Sequence, residues 1–412
     1  MSTKNCIQRY SMVLLTVCLV LLVCPAAGRA QKALKPIKTA LKEKKYSDAV
    51  KQIAELRKDS LYRNDEKLCE YAIEAQRGLN DAQNTKLYLK QPYDTAAFFN
   101  TTYQIIAEAV RLDSIEQAAL DNEGTKPRQQ RLVQDMLRTY FKNLNAGARY
   151  FYRQGKYAQA MPLLREAVGV MLSPLGERTL PSEQRNPVLV SKQAALYLSA
   201  AYRTQCWDEV HRYEVQAMLD SSLRDHLLEC LAFTAEARKD TAQYLHYLTQ
   251  AWEDYPIRQP FFLRLTDYYL QQHDYARVLT LCDRQLEVDT LRTAAYVARC
   301  NALLNLRRFD EVVATAEQLQ QCDTLCAEAY YYMGTADAAL GAMVTLPKDA
   351  RSAAYKQAHK KQQTYYRKAM ESIEEYRRRM PDDKARWAPL LYQLYLWLNE
   401  GKKFEEVERL LQ

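Results

Sequence analysis

Trp207-Asp208-Glu209-Val210 is the first of four short segments that begin 34 residues apart in a chain of 412 residues; the others begin at Thr241, Tyr275 and Phe309. Two further columns keep the same step: ten residues after each start stand Ala217, Ala251, Gln285 and Leu319, and thirteen before it stand Ala194, Leu228, Phe262 and Tyr296. A period of roughly 20 to 50 residues predicts a solenoid, because a single unit cannot bury its own apolar face and must stack on its neighbours. We therefore expect the function to lie on a surface and not in an enclosed pocket.

The repeat also has a characteristic turn. Residues 154–160 (QGKYAQA), with Phe151 upstream and small residues downstream, resemble the turn and second helix of the tetratricopeptide repeat (TPR) and its Gly-x-Tyr-x-x-Ala core. Residues 45–49 (KYSDA) carry the same Tyr-x-x-Ala signature near the N-terminus. The resemblance implies an all-α fold, a right-handed α-solenoid of antiparallel helix hairpins that forms a TPR-like superhelix.

The N-terminus has the pattern of a secretory signal peptide. Lys4 and Arg9 precede an apolar run, residues 12–23, and Gly28-Arg29-Ala30 places small residues at the two positions that a signal peptidase requires. We expect residues 1–30 to be removed, which leaves no integral membrane span and an exported protein of the periplasm or cell envelope of a Gram-negative-type bacterium. The alternatives are an uncleaved anchor and lipidation at Cys24, against which the bulky Val23 argues.

Composition limits the partners. Removal of residues 1–30 lowers the formal charge from +8 to +5, because three basic residues and no acids are lost. That charge is too small to indicate nucleic acid binding.

The remaining residues divide into divergent TPR-like helical pairs at 31–120, a TPR hairpin with a Pro-rich insertion loop at 121–190, and a TPR array at 191–412. Within the first of these segments Gly78 and Pro92 are predicted helix breaks, and within the last we predict an inserted long helix near 342–366.

Seven cysteines remain after cleavage, an odd number that does not form a disulfide framework. Cys322 and Cys326 lie at a predicted turn between repeats, where an oxidising compartment would allow a disulfide; two free thiols are the alternative. No Cys or His pair has the spacing of metal ligands, so we predict neither a metal site nor a cofactor.

Catalytic motifs are absent from the sequence. The five histidines do not form a His-Glu-x-x-His motif, and there is no phosphate loop or Gly-x-Ser-x-Gly elbow. Carboxylate pairs such as Glu229 with Glu236 are able to line a glycosidase cleft, so a carbohydrate-binding or carbohydrate-processing helical protein of the envelope is the alternative function. The main prediction is a non-enzymatic scaffold or assembly factor for protein partners.

The resemblance also implies where a partner binds, since the first helices of successive TPR hairpins line a concave groove. The predicted groove residues are Lys142, Asn145, Arg149, Tyr152 and Arg153; then Lys192, Ser199, Tyr202 and Arg203; then His226, Glu229, Phe233 and Glu236; and finally Leu263, Asp267 and Gln271. The groove is expected to be basic toward its N-terminal part and acidic in the middle, which would fix the direction of a bound peptide or protein segment.

Two alternatives apply to this surface. The aromatic groove residues Tyr152, Tyr202 and Phe233 are predicted to anchor a partner, because aromatic side chains are enriched at interface hot spots. The alternative is that these rings pack between helices and that the charged groove residues are ordinary solvated side chains. Self-association through an apolar end face at residues 396–411 is a separate alternative.

Overall fold

The computed structural model describes residues 32–411, and this range contains helices, turns and loops but no β-strand. The prediction of an all-α, helical-repeat solenoid is confirmed. The predicted signal peptide, residues 1–30, lies outside the described residues. No helix within 32–411 has both the length and the apolar character that crossing a membrane requires.

The chain divides into two compact units, at Met1–Arg238 and Lys239–Gln412. The described part of the first unit begins with a helix at 32–42 (α1) and continues with α2 (Tyr46–Leu56), α3 (Glu66–Tyr88), α4 (Thr95–Glu123), α5 (Gln130–Arg153), α6 (Tyr157–Leu172), α7 (Pro174–Thr179), α8 (Pro187–Arg203), α9 (Trp207–Val210), α10 (Glu214–Ala217) and α11 (Arg224–Ala237). Each long helix packs against the next one along the chain, which is the stacking expected of a solenoid.

The second unit repeats this arrangement. It contains α12 (Thr241–Asp254), α13 (Gln259–Gln271), α14 (Tyr275–Val288), α15 (Thr293–Asn305), α16 (Phe309–Cys322), α17 (Ala327–Ala342), α18 (Ala353–Arg379), α19 (Lys384–Leu398) and α20 (Gly401–Leu411). The column residues ten after and thirteen before each segment start are all buried, and in this unit they are Ala251, Phe262, Gln285, Tyr296 and Leu319. Both polar atoms of the buried Gln285 side chain are hydrogen-bonded. Its Oε1 accepts from Trp252 Nε1 at 2.8 Å, and its Nε2 donates to the carbonyl oxygen of Pro256 at 3.0 Å.

The turns that follow eight of the first helices share a positive φ at one residue. These residues are Lys44, Lys90, Gly155, Gln205, Lys239, His273, Arg307 and Asn399, and the loop after α17 has none. Four of these, Gln205 to Arg307, lie 34 residues apart. At Gly155 the next amide, that of Lys156, donates to the carbonyl oxygen of Phe151 at 2.9 Å, so the left-handed residue ends the helix and satisfies a terminal carbonyl.

Two details of the sequence prediction were wrong. Gly78 does not break a helix: it lies inside α3 and leaves room for the ring of Tyr46, which a Cβ would approach to 2.4 Å. The second helix expected after Trp207 is divided into α9 and α10, because the chain turns at 211–213. Tyr213 in this turn donates a hydrogen bond to the carbonyl oxygen of Arg165 at 3.2 Å and packs edge-on against Tyr197 at 5.2 Å.

The insertion predicted near 342–366 consists of a loop, residues 343–352, and the first half of α18. The first fully buried side chain of α18 is Tyr366, which packs against Gly341 near the end of α17. Gln362 Nε2 donates to the carbonyl oxygen of Gly341 at 3.1 Å. The segment of α18 that precedes this contact therefore extends past the end of α17.

The two cysteines at the turn after α16 are free thiols. Cys322 is the last residue of α16 and Cys326 directly precedes α17, and both are half-buried. Cys322 Sγ lies 3.6 Å from the carbonyl oxygen of Thr290, and burial raises the pKa of Cys326. A disulfide between them stays a prediction for an oxidising compartment.

A buried carboxylate in α17 makes the stability of the second unit depend on pH. Asp337 is 6% exposed, and burial raises its pKa from 3.8 to about 6, an effect that Lys368 partly opposes. The folded state therefore binds a proton more tightly than the unfolded state, so stability is greatest below pH 4 for this group and is lost as pH rises through 6. We expect Asp337→Asn to raise the free energy of unfolding by about 1–2 kcal/mol at pH 8 and by less than about 0.5 kcal/mol at pH 4.

Urea denaturation followed by circular dichroism, at one-unit steps from pH 4 to pH 8, measures this difference. Asp382→Asn is the matched control, because Asp382 is exposed and is not among the charges that shift the pKa of Asp337, so its removal should have little effect at any of these values. A difference between Asp337→Asn and the unmodified protein that does not change with pH would contradict the assignment.

Candidate functional site

Three first helices of the first unit, α5, α8 and α11, carry most of the predicted groove residues. Local hydrogen bonds define where α5 and α8 begin. Glu116 of α4 is buried and accepts hydrogen bonds from the amides of Arg128 and Gln129 at 2.6 and 2.7 Å, directly before α5. Asn186 caps α8 by accepting from the amide of Leu189 at 2.8 Å, with Pro187 at the first helical position.

A chain of side-chain hydrogen bonds joins the three helices. The hydroxyl of Tyr152 on α5 donates to Ser199 Oγ on α8 at 2.9 Å. Ser199 Oγ lies 3.1 Å from His226 Nε2 on α11 and shares a hydrogen bond with it. The three predicted residues are therefore neighbours in space although they are 47 and 27 positions apart in the chain.

The predicted aromatic anchors are half-buried and pack against other rings. Tyr152 meets Tyr157 edge-on with ring centroids 5.2 Å apart. Tyr202 stacks on Phe233 at 6.4 Å and lies 6.0 Å from Trp207. The contact of Tyr202 with Phe233 joins α8 to α11, and that of Tyr152 with Tyr157 joins α5 to α6, so the aromatic residues provide part of the framework of this surface as well as its exposed edges.

Charged residues cover the same helices with different signs. The predicted basic groove residues on α5 and α8 are all exposed: Lys142, Arg149, Arg153, Lys192 and Arg203. Arg203 lies over the ring of Tyr157, 5.7 Å from its centroid. On α11 the predicted groove carboxylates are Glu236 and Glu229. Glu236 is exposed, and Glu229 is half-buried with its Oε2 3.9 Å from His226 Nδ1. The change from basic to acidic that the sequence predicts is thus present along α5, α8 and α11.

Not every predicted residue is exposed on this surface. Asn145 is 6% exposed and Ser199 is 1% exposed, so neither is accessible to a partner in this structure. Asn145 Nδ2 donates to the carbonyl oxygen of Phe141 at 3.3 Å, while its Oδ1 has no hydrogen-bond partner among the described residues. Asp267 is exposed on α13, in the second unit.

A cysteine and a histidine meet inside this surface without forming a catalytic pair. Cys230 Sγ lies 3.5 Å from His226 Nε2. Burial raises the pKa of Cys230 to about 12, and burial also lowers the pKa of His226, although the Glu229 carboxylate opposes that change. The thiol and the imidazole are therefore both neutral near pH 7, whereas a nucleophilic pair needs a thiolate. No group of three His, Cys, Asp or Glu side chains within the described residues is arranged to hold a metal ion.

The tryptophans give little support to a carbohydrate-binding groove. Trp252 and Trp387 are buried, and Trp207 packs against Tyr202. Trp397 is 40% exposed but stacks on Tyr366 with centroids 4.6 Å apart. Sugar-binding sites offer a free aromatic face to the ring of the sugar, and here each indole is either buried or packed on at least one side by another ring.

Several solved structures resemble this chain. One is the C-terminal part of a TPR repeat-containing protein from Cytophaga hutchinsonii, with a TM-score of 0.34 and 12% identity over 64% of this chain and 98% of that one. Another is the TPR2AB domain of yeast Sti1 in complex with pHSP90, with a TM-score of 0.27 and 16% identity over 74% and 97% of the two chains. Yeast Tom70 has a TM-score of 0.28 and 11% identity over 88% and 98%. No protein-family model and no curated protein matches the chain, so the fold assignment rests on the helix hairpins described above.

Proposed function

We propose that this chain is a non-enzymatic scaffold or assembly factor that binds a peptide or protein segment along α5, α8 and α11. The observation that carries the proposal is the hydrogen-bonded chain from Tyr152 through Ser199 to His226. It fixes three neighbouring helices relative to one another, and a preformed surface binds at a lower entropic cost than one that must be ordered by its partner.

The charges on this surface suggest how a partner is oriented. Arg149 and Arg203 would contact acidic residues at one end of the segment, and Glu229 and Glu236 would contact basic residues at the other. Complementary charges set direction and encounter rate more than affinity. The half-buried rings of Tyr202 and Phe233 would supply apolar contact between the two charged regions.

The compartment belongs to the same proposal. The signal-like residues 1–30 support export, so the partner is expected in the periplasm or at the cell envelope. We expect no cofactor and no nucleic acid to take part.

Reversal of two arginines tests the surface. We expect the double variant Arg149→Glu and Arg203→Glu to reduce recovery of partners at least tenfold in crosslinking and pull-down from a periplasmic fraction, because like charges would then face the acidic end of the segment. Helical circular dichroism should not change, since Arg149 and Arg203 are both exposed.

The control variant reverses Lys51 and Arg63, which are exposed on α2 and in the loop that follows it. It introduces the same change of net charge outside the proposed surface and should retain every partner. Retention of every partner by the Arg149 and Arg203 variant, or equal losses in the two variants, would refute binding at this surface.

A further inference from the structure

The insertion between α6 and α8 forms one wall of a cavity. It contains α7 and a short 3-10 turn, Ser182–Gln184, and it is anchored by the buried side chains of Leu175 and Leu180. Together with Arg138 and Lys142 of α5 it lines a solvent-open cavity of about 470 Å³. The sequence analysis placed Lys142 in the groove; the structure shows that its side chain also lines this cavity.

Two polar atoms of the insertion are buried at the cavity without a partner. Thr179 is 6% exposed, and its Oγ1 makes no hydrogen bond within the described residues. Gln184 Oε1 is buried and equally unpartnered in residues 32–411. Both residues line the cavity. Each of the two atoms has almost no accessible surface, so it lies behind the cavity wall and is not available to a ligand in this structure.

The charges of the lining favour an anion. Arg138 and Lys142 have no counter-ion among the described residues, whereas Arg178 is paired with Asp113. A guanidinium and an ammonium are groups that bind carboxylate and phosphate oxygens in proteins. The lining also contains an acceptor, the Glu177 carboxylate, which requires a hydrogen-bond donor on the ligand.

The size of the cavity agrees with a ligand larger than a bare ion. Its volume of about 470 Å³ lies within the range of ordinary small-molecule sites. We propose that the cavity binds a small hydroxylated oxyanion, in which a phosphate or carboxylate group contacts Arg138 and Lys142 and a neighbouring hydroxyl donates to Glu177. This activity is separate from the proposed binding of a protein segment, although Lys142 lies next to both sites.

Isothermal titration calorimetry of the full chain with four probes tests the proposal. Glucose 6-phosphate and gluconate carry an oxyanion and hydroxyls, inorganic phosphate lacks the hydroxyls, and glucose lacks the charge. We expect at least one of the two hydroxylated anions to bind, and to bind at least tenfold more tightly than phosphate or glucose; which of the two binds distinguishes a phosphate ester from a carboxylate. Equal binding of glucose would refute the anion site, and equal binding of phosphate would refute the role of the hydroxyls.

Variants connect the binding to the cavity. Arg138→Ala and Lys142→Ala should each raise the Kd at least tenfold, whereas Arg131→Ala removes an exposed arginine of α5 that does not line the cavity and should leave the Kd within twofold. Thermal melting of each variant checks its fold, and Arg138 and Lys142 are both exposed, so their removal does not disturb the core. Absence of binding by both hydroxylated anions, or a Kd that Arg138→Ala leaves unchanged, would overturn the proposal.

Discussion

Replacement of Glu108 by alanine should lower the free energy of unfolding of the first unit by about 3–5 kcal/mol. Glu108 on α4 is 5% exposed and accepts hydrogen bonds through both carboxylate oxygens from the two terminal nitrogens of Arg57, the residue that follows α2. Arg57 Nη2 also lies 3.8 Å from Cys69 Sγ, and its Nε has no partner among the described residues. Without Glu108 the guanidinium would remain largely buried with no counter-ion, which accounts for the large cost.

Two further variants separate the ion pair from simple loss of volume. The double variant Arg57→Met and Glu108→Leu removes both charges and should restore stability to within about 1–2 kcal/mol of the unmodified protein. Glu55→Ala removes the partner of Lys58 in an exposed pair and should cost less than about 1 kcal/mol. Guanidinium chloride denaturation followed by circular dichroism measures all three, and an equal cost for Glu108→Ala and Glu55→Ala would show that burial of the pair is unimportant.

The second large effect is expected at Gly334 on α17. A Cβ at this position would lie 2.5 Å from Ile373 Cγ1 and 3.0 Å from the carbonyl oxygen of Ala369, both on α18. Gly334→Leu should therefore force the two helices apart and lower the free energy of unfolding of the second unit by about 3 kcal/mol or more, despite the better helix propensity of leucine.

The cause can be isolated with a double-mutant cycle. Ile373→Ala removes the side chain that clashes, so it should recover at least about 1 kcal/mol when combined with Gly334→Leu, as judged by urea denaturation. Gly401→Leu is the matched control, because nothing lies within 4 Å of a Cβ at Gly401. If Gly334→Leu and Gly401→Leu have the same stability, close contact between α17 and α18 does not limit this unit.

The repeat made much of the fold predictable from sequence. The 34-residue columns predicted buried positions such as Ala194 and Leu319 because every unit presents the same face to its neighbours. Departures from the repeat were harder to predict. Gly78 looks like a helix break in the sequence, yet it is a contact site for Tyr46, a residue 32 positions away. Such long-range contacts leave no local pattern in the chain.

The candidate surface shows the same limit. The spacing of Arg149, Tyr152 and Arg203 placed them on the first helices, and the structure has them there. Burial of Asn145 and Ser199 was not predictable, since the helical position is the same for an exposed residue and for one covered by the next helix. The cavity was also missed, because its walls come from α5 and from an insertion that has no counterpart in other repeats. The clearest sequence signal for it was the insertion itself.

The left-handed residue at the hairpin turns has a practical consequence for protein engineering. Only Gly155 is a glycine; the other seven positions carry Lys, Gln, His, Arg or Asn, for which this backbone conformation is less favourable. These turns lie at the ends of helices, whereas Arg149, Arg203 and the cavity lining lie within helices or the insertion. Thermostability can therefore be increased turn by turn, with glycine substitutions such as Arg307→Gly, without altering the residues proposed to bind ligands.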